Sequence, residues 1–185
     1  MLKKEIRTVG FDDTPFTKGQ KGKSQIIGTI FRGSHILDGI ISTEVDIDGN
    51  NATEQLIQLI KKTKFKPQLR AIFLDGIAFA GFNLIDIQKL YQKTKIPVIV
   101  IIRKMPNLER IKTILKTLKK DSSLIDKAGT PQKINKIYVQ YKGTTLSKVK
   151  QFLRLTCTRS YIPEPIRVAH LIAQGITFGE SKGNA

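Results

Sequence analysis

Acidic residues in this chain stand where apolar runs end. Asp12 and Asp13 close the run VGFDD, Asp48 lies in DIDGNN, Glu54 follows six residues later, and Asp75 closes AIFLD. Carboxylates that converge on one point are what metal-assisted hydrolysis of a phosphodiester needs. Two divalent ions about 3.5–4 Å apart activate a water and stabilise the leaving oxygen. Magnesium prefers oxygen ligands and keeps several waters. The candidate metal ligands are therefore Asp12, Asp13, Asp48, Glu54 and Asp75, with Mg²⁺ or Mn²⁺ as the ion. Asp38 and Asp46 are weaker candidates, because strand alternation can turn them to solvent.

Each of these acids also has an ordinary reading as turn or cap chemistry. Asp75 has the most informative context. It follows a fully apolar run and precedes IAFAGFN, a loop without charge. A carboxylate between such segments belongs in a cleft, with a shifted pKa or a cation beside it. Arg103 and Lys104 end the run PVIVII, on the edge expected for Asp75, where a cation can hold a scissile phosphate. His170 sits three residues after Arg167 on the last helical segment, and a lone helical histidine has a structural reading too. Cys157 reads as a buried apolar residue. No nucleophile elbow, Walker loop or dinucleotide-binding glycine fingerprint is present.

The elements that must position these residues follow from hydrophobic pattern and turn chemistry. Strands are expected over 7–11, 25–31, 36–47, 71–74, 97–102 and 134–141, and helices from about 52 to 64, from 83 or 86 to 93, and over 108–119, 146–156 and 165–174. The segment 14–24, TPFTKGQKGKS, reads as a flexible basic loop. Three strands followed by alternating helices and strands is the ribonuclease H-like order. It gives an α/β fold with a mixed sheet, antiparallel across the first three strands and parallel after them, flanked by helices. Asp12 and Asp75 then fall at the C-terminal ends of neighbouring parallel strands, the edge where open sheets bind ligands.

Composition bounds the rest. The chain has 185 residues, 40% hydrophobic and 25% charged, which suits one domain over residues 1–185 and excludes a wholly disordered chain. A single cysteine excludes an internal disulfide framework. The absence of an apolar leader or spanning run makes a cytoplasmic location the expectation, with no membrane partner. Lysine and arginine number 32 against 15 acids, a formal charge of +17. That excess favours a polyanionic partner, DNA or RNA. The candidate contacts to the substrate backbone are Lys18, Lys21 and Lys23 in the basic loop, Arg32 at a hairpin and Arg167 on the last helix.

The strings VGFDDTPF, DIDGNNATE, FLDGIAFAGFNLIDI, IPVIVIIRKMP and PEPIRVAHLIAQGI together resemble an archaeal family of unknown function related to endonuclease V. The resemblance runs from Arg7 to Gly183. It implies a ribonuclease H-like fold and Mg²⁺-dependent cutting beside a deaminated base. Gly10-Phe11-Asp12 looks like the Gly-Val-Asp motif of endonuclease V, which gives Asp12 a metal-ligand role. Leu74-Asp75-Gly76 looks like its Val-Asp-Gly motif, which makes Asp75 the second ligand. The third carboxylate would be Glu54, 21 residues before Asp75, with Asp48 as rival. Arg103, beside Lys104, takes the place of a family lysine, and Arg167-Val168-Ala169-His170 resembles an Arg-x-Ala-His pattern that brings His170 to the metal site.

The chain also departs from endonuclease V. The Tyr-Pro-Gly wedge that parts strands beside the lesion has no counterpart in ILDGIIST, and Asp13 has no acidic counterpart in the motif. The residues point first to a divalent-metal-dependent endonuclease. A ribonuclease H-like module that binds nucleic acid without cutting and a metal-dependent hydrolase of a small phosphorylated metabolite are the alternatives. Clustered carboxylates would repel phosphate in a pure binder unless metal neutralised them.

Overall fold

The computed structural model of the protein describes residues 2–17 and 19–182, so Lys18 lies outside the described residues. Three strands open the chain as an antiparallel meander: β1 (Arg7–Asp13), β2 (Lys23–Arg32) and β3 (Ile36–Asp46). Helix α1 (Ala52–Lys62) and a single 3-10 turn (Lys66–Gln68) lead to β4 (Leu69–Asp75), which runs parallel to β1. The two-residue strands β5 (Ala78–Phe79) and β6 (Asn83–Leu84) pair with each other in the loop after β4. Helix α2 (Ile87–Thr94) and β7 (Val98–Ile102), parallel to β4, come next. After α3 (Leu108–Thr117) and α4 (Ser123–Ala128), β8 (Gln132–Ile134) and β9 (Ile137–Lys142) form a hairpin, succeeded by α5 (Leu146–Thr156) and α6 (Glu164–Phe178). Among the described residues the main sheet has the order β3-β2-β1-β4-β7-β9-β8.

The mixed sheet and its flanking helices follow the order expected from the pattern through β7. The far edge differs. β9 pairs antiparallel with β7, and the apolar run 134–141 divides into two strands. The reason is local: Asn135, at φ 54°, and Lys136 make a turn inside that run. The short α4 had no clear apolar period to announce it.

Strand alternation sorts the core into two layers. Val9, Phe11, Ile72, Leu74, Val98 and Val100 face α1 and α2, where Leu56, Ile60, Ile87 and Leu90 meet them. Ala71, Phe73, Ile99 and Ile101 face the other way, onto Val149 and Phe152 of α5 and Ile166 of α6. Burying a Leu, Ile or Phe side chain contributes roughly 1.5–3 kcal/mol, so both faces hold their helices firmly.

Helix α6 lies closer to the sheet than an ordinary side-chain layer would allow. A Cβ on Gly10 would lie 2.5 Å from Ile166 N and 2.5 Å from Pro165 C, so only glycine lets the helix start come this close. The Thr29 hydroxyl donates to the Pro165 carbonyl at 2.5 Å. Ala169 and Ala173, fully buried against Ile27, let the next turns lie flat on β2. No described helix is long and apolar enough to cross a membrane.

Candidate metal centre

The register of β1 on β4 pairs Phe11 with Leu74, so Asp12 and Asp75 come next as neighbours at the C-terminal edge of the sheet. Asp12 lies on the same face of β1 as Gly10, and Asp75 on the same face of β4 as Phe73. Both therefore face the α5–α6 layer. His170, one residue beyond Ala169 on α6, reaches them from that layer. One ligand atom each from Asp12, Asp75 and His170 lie within 4.8 Å of one another. His170 Nδ1 is 2.6 Å from Asp12 Oδ2, and Asp12 Oδ1 accepts the Asp13 backbone N–H at 2.9 Å. Arg103 at the end of β7 pairs with Asp75 Oδ2 at 3.0 Å, and Lys104 beside it is exposed.

The electrostatics of this cluster are strained. Burial, and then the charge of Asp12, push Asp75 up to about 6, although Arg103 and His170 pull it down. Burial and Asp12 push Asp13 up to about 7, against the hydrogen bond from Ala80. The hydrogen bond to Asp12 raises His170 above its ordinary value, against its own burial. Negative charge is thus crowded into a half-closed edge with one guanidinium and one imidazole to offset it. A divalent cation fits a pair of crowded carboxylates with an imidazole orienting one of them. Asp12 and Asp75 are the residues that would hold it, with His170 bonded to Asp12 beside them.

Asp13 is adjacent in sequence but turned to the opposite face of β1, where its Oδ2 accepts the Ala80 N–H at 2.8 Å. It shapes the β5–β6 loop and adds charge to the cluster without joining it. The two rivals for a third carboxylate are drawn elsewhere. Asp48 adopts φ 52°, and its Oδ1 accepts the Phe82 N–H at 2.8 Å, so it caps the same loop. Glu54 turns outward on α1 and forms an ion pair with Lys89 of α2. Helix neighbours at matching height compete for a glutamate in this way, and sequence spacing does not show it.

The expected backbone contacts also separate. Lys21 is exposed in its loop, and Lys23 pairs with Glu44 at 3.3 Å. Arg32 pairs with Arg7 in the β1–β2 register and bonds Asp38 at 2.8 Å. Asp12 is five residues beyond Arg7 on β1, so Arg32 lies at the opposite edge, about 17 Å away along the strand. Arg167 makes a two-nitrogen fork onto Glu164 Oε2, at 2.7 and 2.9 Å, in the first turn of α6. Cys157 is a protonated thiol, pushed up to about 12 by burial.

Two residues, one beside the site and one behind its loop, carried no functional reading from sequence. Gln174 has its amide nitrogen 2.9 Å from His170 Nε2; its signal was the one-turn spacing from His170, which puts both on one helix face. Buried Asn83 accepts the Ala52 N–H at 3.0 Å and donates to the Asp46 carbonyl and Asn51 Oδ1, each at 2.9 Å. It ties the loop after β4 to the start of α1, whereas the helix start expected at 83 or 86 falls at Asp86, whose side chain accepts the Lys89 N–H.

The chain is 42% identical over 191 residues to a UPF0215 protein of Methanothermobacter thermautotrophicus, an alignment that covers 100% of this chain and 94% of that one. Another UPF0215 protein, from Methanosarcina barkeri, is 44% identical over 100% of this chain and 97% of its own. A crystal structure of a protein of unknown function from Archaeoglobus fulgidus superposes with a TM-score of 0.86 at 35% identity, over 93% of this chain and 98% of that one. Endonuclease V from Bacillus subtilis shares the fold, with a TM-score of 0.60 at 12% identity over 90% of this chain and 78% of that one. Endonuclease V from Ciona intestinalis, in complex with a 24mer DNA containing an inosine followed by a ribo-adenosine, shares it at a TM-score of 0.55 and 15% identity, over 89% of this chain and 82% of that one. Residues 4–177 match the model of the family described as endonuclease dU, and the chain belongs to that family.

Proposed function

We propose that this protein is a divalent-metal-dependent endonuclease that hydrolyses a nucleic-acid phosphodiester beside a deaminated base. The observation that carries the reading is the convergence of Asp12, Asp75 and His170 within 4.8 Å, where burial and the charge of Asp12 hold Asp75 at about 6. A divalent ion bound there would supply an activated water and neutralise charge on the phosphate. Asp12 and Asp75 would hold the ion. Arg103, beside Asp75 and half-exposed, presents a guanidinium to a phosphate approaching the same edge. His170 fixes Asp12 and carries an exchangeable proton close to the reacting atoms. The net charge of +17 favours association with a polyanion.

The deaminated base rests on the family's description, endonuclease dU, since deoxyuridine is what deamination of deoxycytidine leaves. The test is cleavage of labelled oligonucleotides carrying deoxyuridine, inosine or neither, as DNA and as RNA, with Mg²⁺ or Mn²⁺. The wild type should cut beside the deaminated base, and Asp75→Ala or removal of metal should abolish cutting. Binding of every oligonucleotide without cleavage of any would overturn the proposal in favour of a non-catalytic binding module.

A further inference from the structure

The hydrogen bonds beyond His170 form a chain whose donors and acceptors are all decided by its far end. The backbone N–H of Lys182 is an obligatory donor, and it meets Gln174 Oε1 at 2.8 Å. That contact fixes which end of the Gln174 amide is oxygen. The other end, Nε2, can only donate, and it faces His170 Nε2 at 2.9 Å. His170 Nε2 must then accept, so the neutral ring carries its proton on Nδ1. From there it donates to Asp12 Oδ2 at 2.6 Å. Four groups, from the tail after α6 to the first strand, are therefore set in one direction.

We infer that Gln174 is a positioning residue which, held by the Lys182 backbone N–H, fixes the Nδ1–H tautomer of His170 and through it the orientation of Asp12. This rests on the reading of Asp12 and His170 as metal-site residues. The alternative tautomer would set the Nδ1 lone pair against a carboxylate lone pair and break the contact that orients Asp12. Outer groups that orient ligands in this manner typically change metal affinity or activity 10–100-fold when lost. Gln174 acts one step further out, so a loss of about tenfold in Mn²⁺ affinity is expected for Gln174→Leu.

The chain has two histidines, His35 and His170, which makes a spectroscopic test clean. Imidazole ¹⁵N spectra of the full chain at a pH where the rings are neutral, assigned with His35→Gln, report the tautomer without any metal or substrate. The wild type should show His170 protonated on Nδ1. Gln174→Glu keeps the acceptor for Lys182 but offers His170 only acceptors, so it should place a proton on Nε2. Lys182→Pro removes the donating N–H and should mix the tautomers, whereas Lys182→Ala keeps it and should change nothing. A wild-type ring with Nε2–H, or a tautomer indifferent to both Gln174→Glu and Lys182→Pro, would overturn the inference. Should the tautomer behave as expected while Mn²⁺ fails to bind, the metal-site reading falls and this one stands.

Discussion

His170 Nδ1 lies 2.6 Å from Asp12 Oδ2, a contact between residues 158 positions apart that closes the last helix onto the first strand. Neither residue alone defines a site. Together with Asp75, and with Arg103 on the strand beyond, they turn the C-terminal edge of three parallel strands into a place where cation and phosphate chemistry can meet.

The cluster should cost stability while it serves function. Asp75, held at about 6 by burial and by Asp12, is an uncomfortable anion above that pH in the metal-free protein. Asp75→Asn keeps the volume and removes the charge. Thermal or urea unfolding at about pH 8 should show the metal-free variant more stable than wild type by about 1–2 kcal/mol, and cleavage should be lost. A destabilised variant would mean that the Arg103 pair outweighs the crowding.

Stability should also depend on pH in a definite sense. Asp13 and Asp75 are raised to about 7 and about 6 in the folded protein, whereas unfolded carboxylates titrate near pH ~3.9. The folded state binds more protons between those values. The contribution is therefore complete below about pH 4 and is lost as pH rises through about 6 and then 7. The midpoint of metal-free unfolding should fall between about pH 5 and 8, and saturating Mn²⁺ should raise it more at the higher pH. An equal gain at both would contradict the account.

Asp38 behaves in the opposite sense, at the far edge of the sheet. Its carboxylate receives Arg32 at 2.8 Å and Arg7 at 2.5 Å, which hold it down at about 2. That stabilisation is present above about pH 4 and lost as pH falls through about 2. Asp38→Asn should cost about 1 kcal/mol near neutral pH, the scale of a partly exposed network. Acid unfolding of wild type and variant should converge below about pH 2, with Mn²⁺ binding unaffected throughout.

Gly10 should be intolerant for a geometric reason. Gly10→Ala puts a methyl group 2.5 Å from backbone atoms of Pro165 and Ile166, so α6 must move outward and take His170 with it. A loss of about 1–3 kcal/mol is expected from overpacking, together with weaker Mn²⁺ binding. Retained binding at wild-type affinity would show that the helix position does not set the site.

Much of this was legible from residue pattern. Apolar runs ending in Asp12, Asp75 and Arg103 located the strands and the edge, because burial of both sheet faces forces such runs. The alternation of a strand also separates Asp12 from Asp13, yet which of the two would face the cluster depended on where α6 lies, and that is decided by contacts as distant as Gly10 with Ile166. Glu54 and Asp48 were candidate ligands by spacing; Glu54 lies against Lys89 on a neighbouring helix and Asp48 against the Phe82 N–H, outside the group of Asp12, Asp75 and His170, and no local pattern announces such partners. The β8–β9 hairpin was hidden because Asn135 and Lys136 interrupt an apolar run only briefly.

The proposed chemistry turns on Asp12 and Asp75 holding a divalent ion, with His170 bonded to Asp12 beside it. Calorimetric titration of Mn²⁺ into the wild type and Asp75→Ala tests it most directly. The account predicts saturable binding to the wild type that weakens about tenfold or more in the variant, since loss of a ligand exceeds loss of an outer partner. A wild type that binds no Mn²⁺, or a variant that binds as tightly, would contradict it.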